Sequence, residues 1–425
     1  MSARPTSARS RPAVLTFMLE LSRRGLMMGG VSAAALTGLP LSAQPAAPQP
    51  IGRGERLGRI ARLQSGLRQR GLAGLIVEPG ASLDYLTGVQ WHRSERPTLA
   101  VIPATGPSII VTPFFERPSV AESLAVPAEI RVWQEDESPY APVADFLKSR
   151  VPGARAVAVE ETVRTFIVSG IGHAMPGVAV KDGAELVRGL RMIKSPAELA
   201  LMQRANDLTQ AALRRTHAAV REGESNRDIA NRFERIVSEL GGSDSWSLVL
   251  IDEASALPHG SGRPQQVKRG SVVLMDCGCS YGGYQADISR TFVWGAPPTP
   301  EQRKMWGQVR QGQAIALAAA KVGAPAGSVD DAVRSQYERW GYGPRYALPG
   351  LSHRTGHGIG MEGHEPVNLV HGEATRLAPG MCFSNEPGIY LPGKFGVRLE
   401  DCFHMTAAGP VWFTRPPDSI DRPFG

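Results

Sequence analysis

The sequence predicts an α+β protein of two domains, a smaller α/β domain followed by a larger one in which helices cover an antiparallel sheet. Three observations lead there. From about residue 51 to about residue 183, short apolar runs alternate with Pro/Gly punctuation, as the elements of an α/β unit do. Ser195-Pro196-Ala197-Glu198 then carries the N-cap, first-turn proline and N3 carboxylate of a helix start, and the pattern stays helical through Leu240. From Leu248 onward the chain turns strand-rich with glycine-containing turns, which favours hairpins over a βαβ series. The expected division is a leader over residues 1–47, an α/β domain over 51–183 and a second domain over 184–425. With 425 residues, 42% apolar and 20% charged, the composition excludes extended disorder and a multi-span membrane protein.

The leader comes first. Ser22-Arg23-Arg24-Gly25 precedes an uncharged stretch whose first 17 residues, Gly25 to Leu41, include Gly29, Gly30, Gly38 and Pro40. That is short and weakly apolar against the roughly 20 residues a spanning helix needs. With the Ala/Pro-rich exit at Ala43 to Ala47, it reads as a twin-arginine export signal, and the expected product is periplasmic with no stable membrane insertion after cleavage. The leader also holds five arginines (Arg4, Arg9, Arg11, Arg23, Arg24) of a chain with formal charge +7. Without it the excess is about +3, too small for the phosphate-neutralising stripe of a nucleic-acid binder, so no nucleic-acid partner is expected.

In the α/β domain, Leu57, Ile60, Leu63 and Leu67 predict an amphipathic helix, Gly74 to Val77 a buried strand, and Leu99 to Ile102 and Ser108 to Thr112 two more. The cysteines, Cys277, Cys279, Cys382 and Cys402, lack the paired spacing of a metal ribbon or redox dithiol and read as buried thiols, with a Cys382–Cys402 bridge as the alternative in an oxidising compartment. Two hairpins can be drawn in the second domain. In one, centred between Tyr281 and Gly282, Asp276 faces Asp287; in the other, centred at Gly393, Glu386 faces Glu400. Opposed like charges destabilise a sheet unless a cation lies between them. Between the hairpins lies His353-Arg354-Thr355-Gly356-His357-Gly358-Ile359-Gly360, which adds imidazoles in a glycine-rich loop. Oxygen-rich ligands with one imidazole suit Mn, Co, Fe or Zn, and bridging carboxylates suit a two-metal hydrolytic site.

These residues resemble the pita-bread metallopeptidases, the family of Xaa-Pro aminopeptidases, prolidases, methionine aminopeptidases and the metal-free creatinase. The resemblance runs through Met275-Asp276-Cys277-Gly278, Gly283 to Thr291, Gly356 to Gly360 with His364-Glu365-Pro366, Asn385-Glu386-Pro387-Gly388 and Gly396 to Asp401. Upstream, Arg191 to Glu198 is similar to the start of that family's catalytic domain, and Leu83-Asp84-Tyr85-Leu86-Thr87-Gly88 to the N-terminal domain of prolidases. It implies a C-terminal pita-bread catalytic domain behind a creatinase-type N-terminal domain. It also implies two divalent ions, Mn first among Mn, Co, Fe and Zn, bridged by Asp287 and Glu400, with Asp276 completing one sphere and His357 with Glu386 the other. Glu386 is expected to take the water's proton, and His259, His353 and His364 to line the substrate pocket and bond the carbonyl or the developing oxyanion. Arg398 is expected to pair with a carboxylate ligand or a substrate carboxylate.

The implied activity is hydrolysis of the bond between an N-terminal residue and proline in a dipeptide or longer peptide, by a homodimer. Trp91 and His92 either reach a partner subunit's pocket or serve as ordinary aromatics. The alternatives are a non-peptide small molecule hydrolysed or cleaved on the same scaffold, and a non-catalytic binding module, which the five intact ligand residues disfavour. Cys277, Cys279 and Asn385 depart from the family's pattern without touching those ligands.

Overall fold

The computed structural model describes residues 47–424. The expected leader therefore lies, apart from Ala47, outside the described residues. Among those described, no helix is long and apolar enough to cross a membrane.

The N-terminal half is built on a six-stranded mixed sheet of β1 (Gly74–Val77), β2 (Leu99–Pro103), β3 (Ser108–Pro113), β4 (Ala128–Trp133), β5 (Ala156–Val159) and β6 (Ala179–Asp182), in the order β4-β3-β2-β1-β5-β6. The β1–β2 and β2–β3 pairs are antiparallel and the others parallel. Helices lie on both faces, which is why β1, β2, β3 and β5 are buried along their whole length and read as continuous apolar runs. The helix Arg53–Gln69 turns Ile60, Leu63 and Leu67 inward, but Leu57 is 40% exposed and Arg59 takes a buried place instead. Arg59 is accommodated because its guanidinium lies 3.9 Å from the centre of the Tyr85 ring, donates to the Tyr85 carbonyl at 2.9 Å and pairs with Glu55 (2.9 Å) and Glu198 (3.2 Å). Glu198 starts the next domain, so this arginine joins the two halves. Hydrophobic periodicity scores an arginine as polar and cannot find it.

The C-terminal half repeats one plan twice. The helices Pro196–Ala218 and Asn226–Leu240 pack Leu208, Leu213, Ile229 and Phe233 against a sheet of β7 (Ser243–Ile251), β8 (Val272–Tyr281), β9 (Tyr284–Gln285) and β10 (Ile288–Val293), with β8 between β10 and β7. The helices Pro300–Ala319 and Gly327–Arg339 pack Trp306, Val309, Val329 and Val333 against a second sheet, from β11 (Gly356–Gly358), β12 (Glu365–Leu369), β13 (Cys382–Asn385), β16 (Asp401–Thr406) and β17 (Gly409–Trp412), ordered β12-β11-β13-β16-β17. A two-stranded ribbon of β14 (Gly388–Leu391) and β15 (Phe395–Arg398) extends it. The first helix of each half begins with a capping box and a first-turn proline, Ser195-Pro196 with Glu198 and Thr299-Pro300 with Gln302. The second box carries the same signal as the first.

Candidate metal centre

The acidic residues sit where strands break or pair around the middle of these sheets. In the first hairpin the registered pairs are Asp276 with Ser289 and Tyr281 with Tyr284, so Asp276 does not face Asp287 as expected. The turn residues are Gly282 and Gly283, both with positive φ (58° and 83°), as a two-residue hairpin turn requires, and this moves the centre one residue along. Asp287 falls in the two-residue gap between β9 and β10. A two-residue offset preserves the face, so Asp276 and Asp287 remain diagonal neighbours. In the second hairpin Asn385 pairs with Asp401 and Gly388 with Arg398, which brackets Glu386 and Glu400 opposite each other in the expected register, at the break between β13 and β14.

The third contribution is β11, which carries His357. It can lie against β13 only because residue 356 is glycine: a Cβ there would stand 2.2 Å from the Ser384 carbonyl oxygen. His357 Nδ1 lies 3.0 Å from the Gly358 carbonyl, so this nitrogen donates and Nε2 presents its lone pair inward, 3.4 Å from Glu386 and 3.8 Å from Asp287. All nine predicted residues, Asp276, Asp287, His357, Glu386, Glu400, His259, His353, His364 and Arg398, line one cavity of about 820 Å³.

Within it, ligand atoms of Asp276, Asp287 and Glu400 lie within 4.8 Å of one another, as do those of His357, Glu386 and Glu400, and those of Asp287, His357 and His364. Glu400 belongs to both the Asp276 set and the Glu386 set, the position a bridging carboxylate needs. Charges about 4 Å apart at an effective dielectric of 20 repel by about 4 kcal/mol per pair. Burial, followed by the neighbouring acids Asp276 and Glu386, holds Asp287 well above the usual carboxylate range, and burial with Asp287 does the same for Glu400. Burial pushes Glu386 up to about 7, with Arg398 opposing and Asp276 adding to the rise. Burial, then His364, keeps the His357 imidazole neutral. Asp287 Oδ1 and Glu400 Oε1 are buried with no hydrogen-bond partner among the described residues. Crowded acids with bare inward oxygens and one lone-pair imidazole are the donor set divalent ions require, so the residues fit the implied metals.

The remaining residues form a frame around this cluster. Arg398, 3% exposed, pairs with Asp276 through Nη2 and bonds Ser289 through Nε (3.0 Å), the Pro258 carbonyl (3.1 Å) and Tyr390 (3.2 Å) through Nη1. The Pro258 bond holds the turn that carries His259. Ser289 Oγ lies 2.7 Å from Asp276 and 2.9 Å from Glu400. His353 bonds the Arg354 carbonyl (2.8 Å) and the Tyr390 hydroxyl (2.7 Å), which occupies both ring nitrogens; burial, then Arg398, pulls it down to about 3. It is thus a neutral link between Tyr390 and the loop, whereas His364, exposed at the cavity wall with its ring 4.2 Å from that of His357, stays open to a bound molecule. Below the site, Arg290 and Asp401 form a fully buried pair (2.7 Å) whose arginine also bonds the Glu400 carbonyl (2.8 Å).

Sequence reasoning missed Ser289, Tyr390 and Arg290, and also Arg354, Asp244 and Trp246, which line the cavity. Ser289 takes the place opposite Asp276 that the predicted pairing gave to Asp287, two residues away, and Tyr390 carried no signal beyond an apolar strand. All four cysteines are buried and free; Cys382 pairs with His404 and Cys402 with Ser384, so the alternative bridge is not formed. Trp91 bonds Glu116 (3.2 Å) and packs beside the first domain's core, while His92 is exposed.

Residues 200–407 match metallopeptidase family M24, and residues 59–193 match the creatinase/prolidase N-terminal domain. The protein named probable dipeptidase PepE of Mycobacterium tuberculosis (strain H37Rv) is 32% identical over 372 residues, covering 85% of this chain and 95% of its own. The Xaa-Pro dipeptidase of Lactobacillus delbrueckii subsp. lactis is 30% identical over 360 residues, 84% of this chain and 96% of its own. The crystal structure of dipeptidase PepE from Mycobacterium ulcerans aligns with a TM-score of 0.79 at 30% identity, over 87% of this chain and 98% of that one.

Proposed function

The chain belongs to metallopeptidase family M24, with a creatinase/prolidase N-terminal domain, and on that premise we propose that it hydrolyses the bond between an N-terminal residue and proline. The observation that carries this is the cluster of Asp276, Asp287, His357, Glu386 and Glu400 in one cavity, with uncommitted oxygens on Asp287 and Glu400. Two divalent ions on these five residues, Mn by preference and otherwise Co, Fe or Zn, supply the lowered water pKa and the polarised carbonyl that amide hydrolysis needs.

The chain's own residues divide the remaining tasks. Glu386, beside His357 and with its second oxygen 3.8 Å from His353, takes the proton from the attacking water and delivers it to the proline nitrogen as the bond breaks. Arg398 and Ser289 fix the angle of Asp276 and Glu400. His364 and His259 face the space where the scissile carbonyl lies and donate to its oxygen as charge develops there. No observation favours a non-peptide substrate.

The test strips the protein with a chelator, reloads it with Mn, Co, Fe or Zn in turn, and follows proline release from Xaa-Pro dipeptides and N-terminal residue release from Xaa-Pro-Pro. Ion-dependent cleavage that Asp287→Asn abolishes is expected; metal uptake without cleavage of either peptide contradicts the assignment. Two further readings belong to the same proposal. The Ser22-Arg23-Arg24 leader supports periplasmic export by the twin-arginine route, and replacing Arg23 and Arg24 with lysine should retain the protein in the cytoplasmic fraction. Exposed Phe114 (54%) and Phe115 (57%), beside the Trp91–Glu116 contact, support a homodimer, which light scattering checks.

A further inference from the structure

Glu386 and Glu400 face each other without sharing a rung of the sheet. β13 ends at Asn385 and β14 begins at Gly388, while β15 ends at Arg398 and β16 begins at Asp401, so both glutamates sit in a gap of the ladder. Their backbones are tied to separate neighbours. The Glu386 amide donates to the Thr355 carbonyl at 2.9 Å, and the Glu400 amide to the Ser289 carbonyl at 3.1 Å. The spacing of the two carboxylates therefore depends on the rungs that bound the gap, Gly388 with Arg398 on one side and Asn385 with Asp401 on the other.

The second of these rungs is fastened to the helix Pro300–Ala319 by one side chain that does not line the cavity. Gln313 Nε2 donates to the Asn385 carbonyl at 3.3 Å and to Asp401 Oδ2 at 3.2 Å, and the Asn385 amide returns a bond to the Gln313 carbonyl at 3.0 Å. Arg290 and Thr414 reach Asp401 Oδ1, each at 2.7 Å, so the carboxylate is held in one orientation. Gln313, Asn385, Asp401 and Arg290 are fully buried. An amide in such a place costs stability unless its bonds are made. A methionine of similar length would fill the same space but hold neither the residue before Glu386 nor the residue after Glu400. Asn385 is also a position where the chain departs from the family's pattern, and only a donor side chain there completes the return bond.

We propose that Gln313 is a positioning residue for one of the two ions. Through Asn385 and Asp401 it fixes the separation of Glu386 and Glu400, and so governs the ion held by His357, Glu386 and Glu400. The ion held by Asp276, Asp287 and Glu400 depends on it less, because the two aspartates come from the first hairpin, to which Gln313 makes no hydrogen bond. This rests on the two-ion reading above and extends it to a residue outside the cavity.

The test titrates Mn²⁺ into the chelator-stripped wild type, Gln313→Met and Asn385→Val, following heat and the EPR signal of coupled Mn²⁺ pairs. Gln313→Met is expected to weaken one ion about tenfold, the factor that buried hydrogen bonds of this kind are worth, with the coupled signal falling in step, and to shift the other by less than about threefold. The weakened ion should be the one that His357→Ala removes. Asn385→Val, which removes only the return bond, should weaken the same ion by about threefold, and it decides the question if Gln313→Met does not fold. A lowered melting temperature with both ions unchanged, or equal weakening of both, overturns the proposal and leaves Gln313 a packing residue. Binding of fewer than two ions by the wild type overturns the two-ion reading itself.

Discussion

At the level of single residues, the site is a set of carboxylates that the fold holds together against their mutual repulsion. Asp287 and Glu400 are therefore expected to limit the stability of the metal-free protein and to gain most from cations. Thermal melts should show this directly. Asp287→Asn should leave the metal-free melting temperature unchanged or raised, while wild type alone gains the stabilisation of ion binding, about 2.7 kcal/mol at a hundredfold excess over Kd. Arg398 behaves in the opposite way. Arg398→Ala leaves partly buried Asp276 without its counter-charge and should cost about 1 to 3 kcal/mol in denaturant unfolding of the metal-free protein. The acidic ligands were legible in the sequence because two hairpins could be drawn that set them in opposed pairs flanked by apolar residues. The residues that orient them were not, because a serine or tyrosine in a strand acquires its role only from the strand it meets.

At the level of elements, close approach of backbones decides the geometry. The Gly356→Ala substitution places a methyl group 2.2 Å from the Ser384 carbonyl oxygen and must push β11, with His357, away from β13. A loss of about 1 to 3 kcal/mol in stability is expected, together with weakened metal binding by titration. The second hairpin was readable to the residue because Leu391 to Lys394 left one centre of symmetry consistent with the acidic pair. In the first, three candidate turn residues, Tyr281, Gly282 and Gly283, allowed two centres. The choice depends on which residues adopt positive φ, and the two adjacent glycines do so. Turn chemistry thus determined the hairpin centre that charge pairing alone had misplaced by one residue, a register shift of two.

At the level of the whole molecule, the two domains meet through buried charge. Glu365 pairs with Lys194 at 2.9 Å and with Arg191, and it caps Met361 at 2.9 Å; Arg191 also reaches Ser82 at 3.1 Å. The lysine and the arginine overcome the burial that would raise this carboxyl and hold it at about 2. A depressed carboxylate contributes stability that is complete above the unfolded value of 4.5 and is lost as pH falls toward the folded one. Urea unfolding between pH 5 and pH 2 should lose roughly 3 kcal/mol from this group, a slope that is absent in Glu365→Gln. Domain order and the helix starts were legible, since capping boxes and apolar runs are local. The Arg59 and Glu365 networks were not, because the partners that join the domains, Glu198 for Arg59 and Arg191 with Lys194 for Glu365, lie more than a hundred residues away along the chain.

The central claim, that five side chains form one two-ion centre, is tested most directly by titrating Mn²⁺ into the chelator-stripped protein by calorimetry in buffers of different ionisation enthalpy. The account predicts two ions per chain with protons released on binding, since Asp287, Glu386 and Glu400 are held above the usual carboxylate range without them, and loss of at least one ion in Glu400→Gln. Binding of fewer than two ions by the wild type, or uptake without proton release, contradicts it.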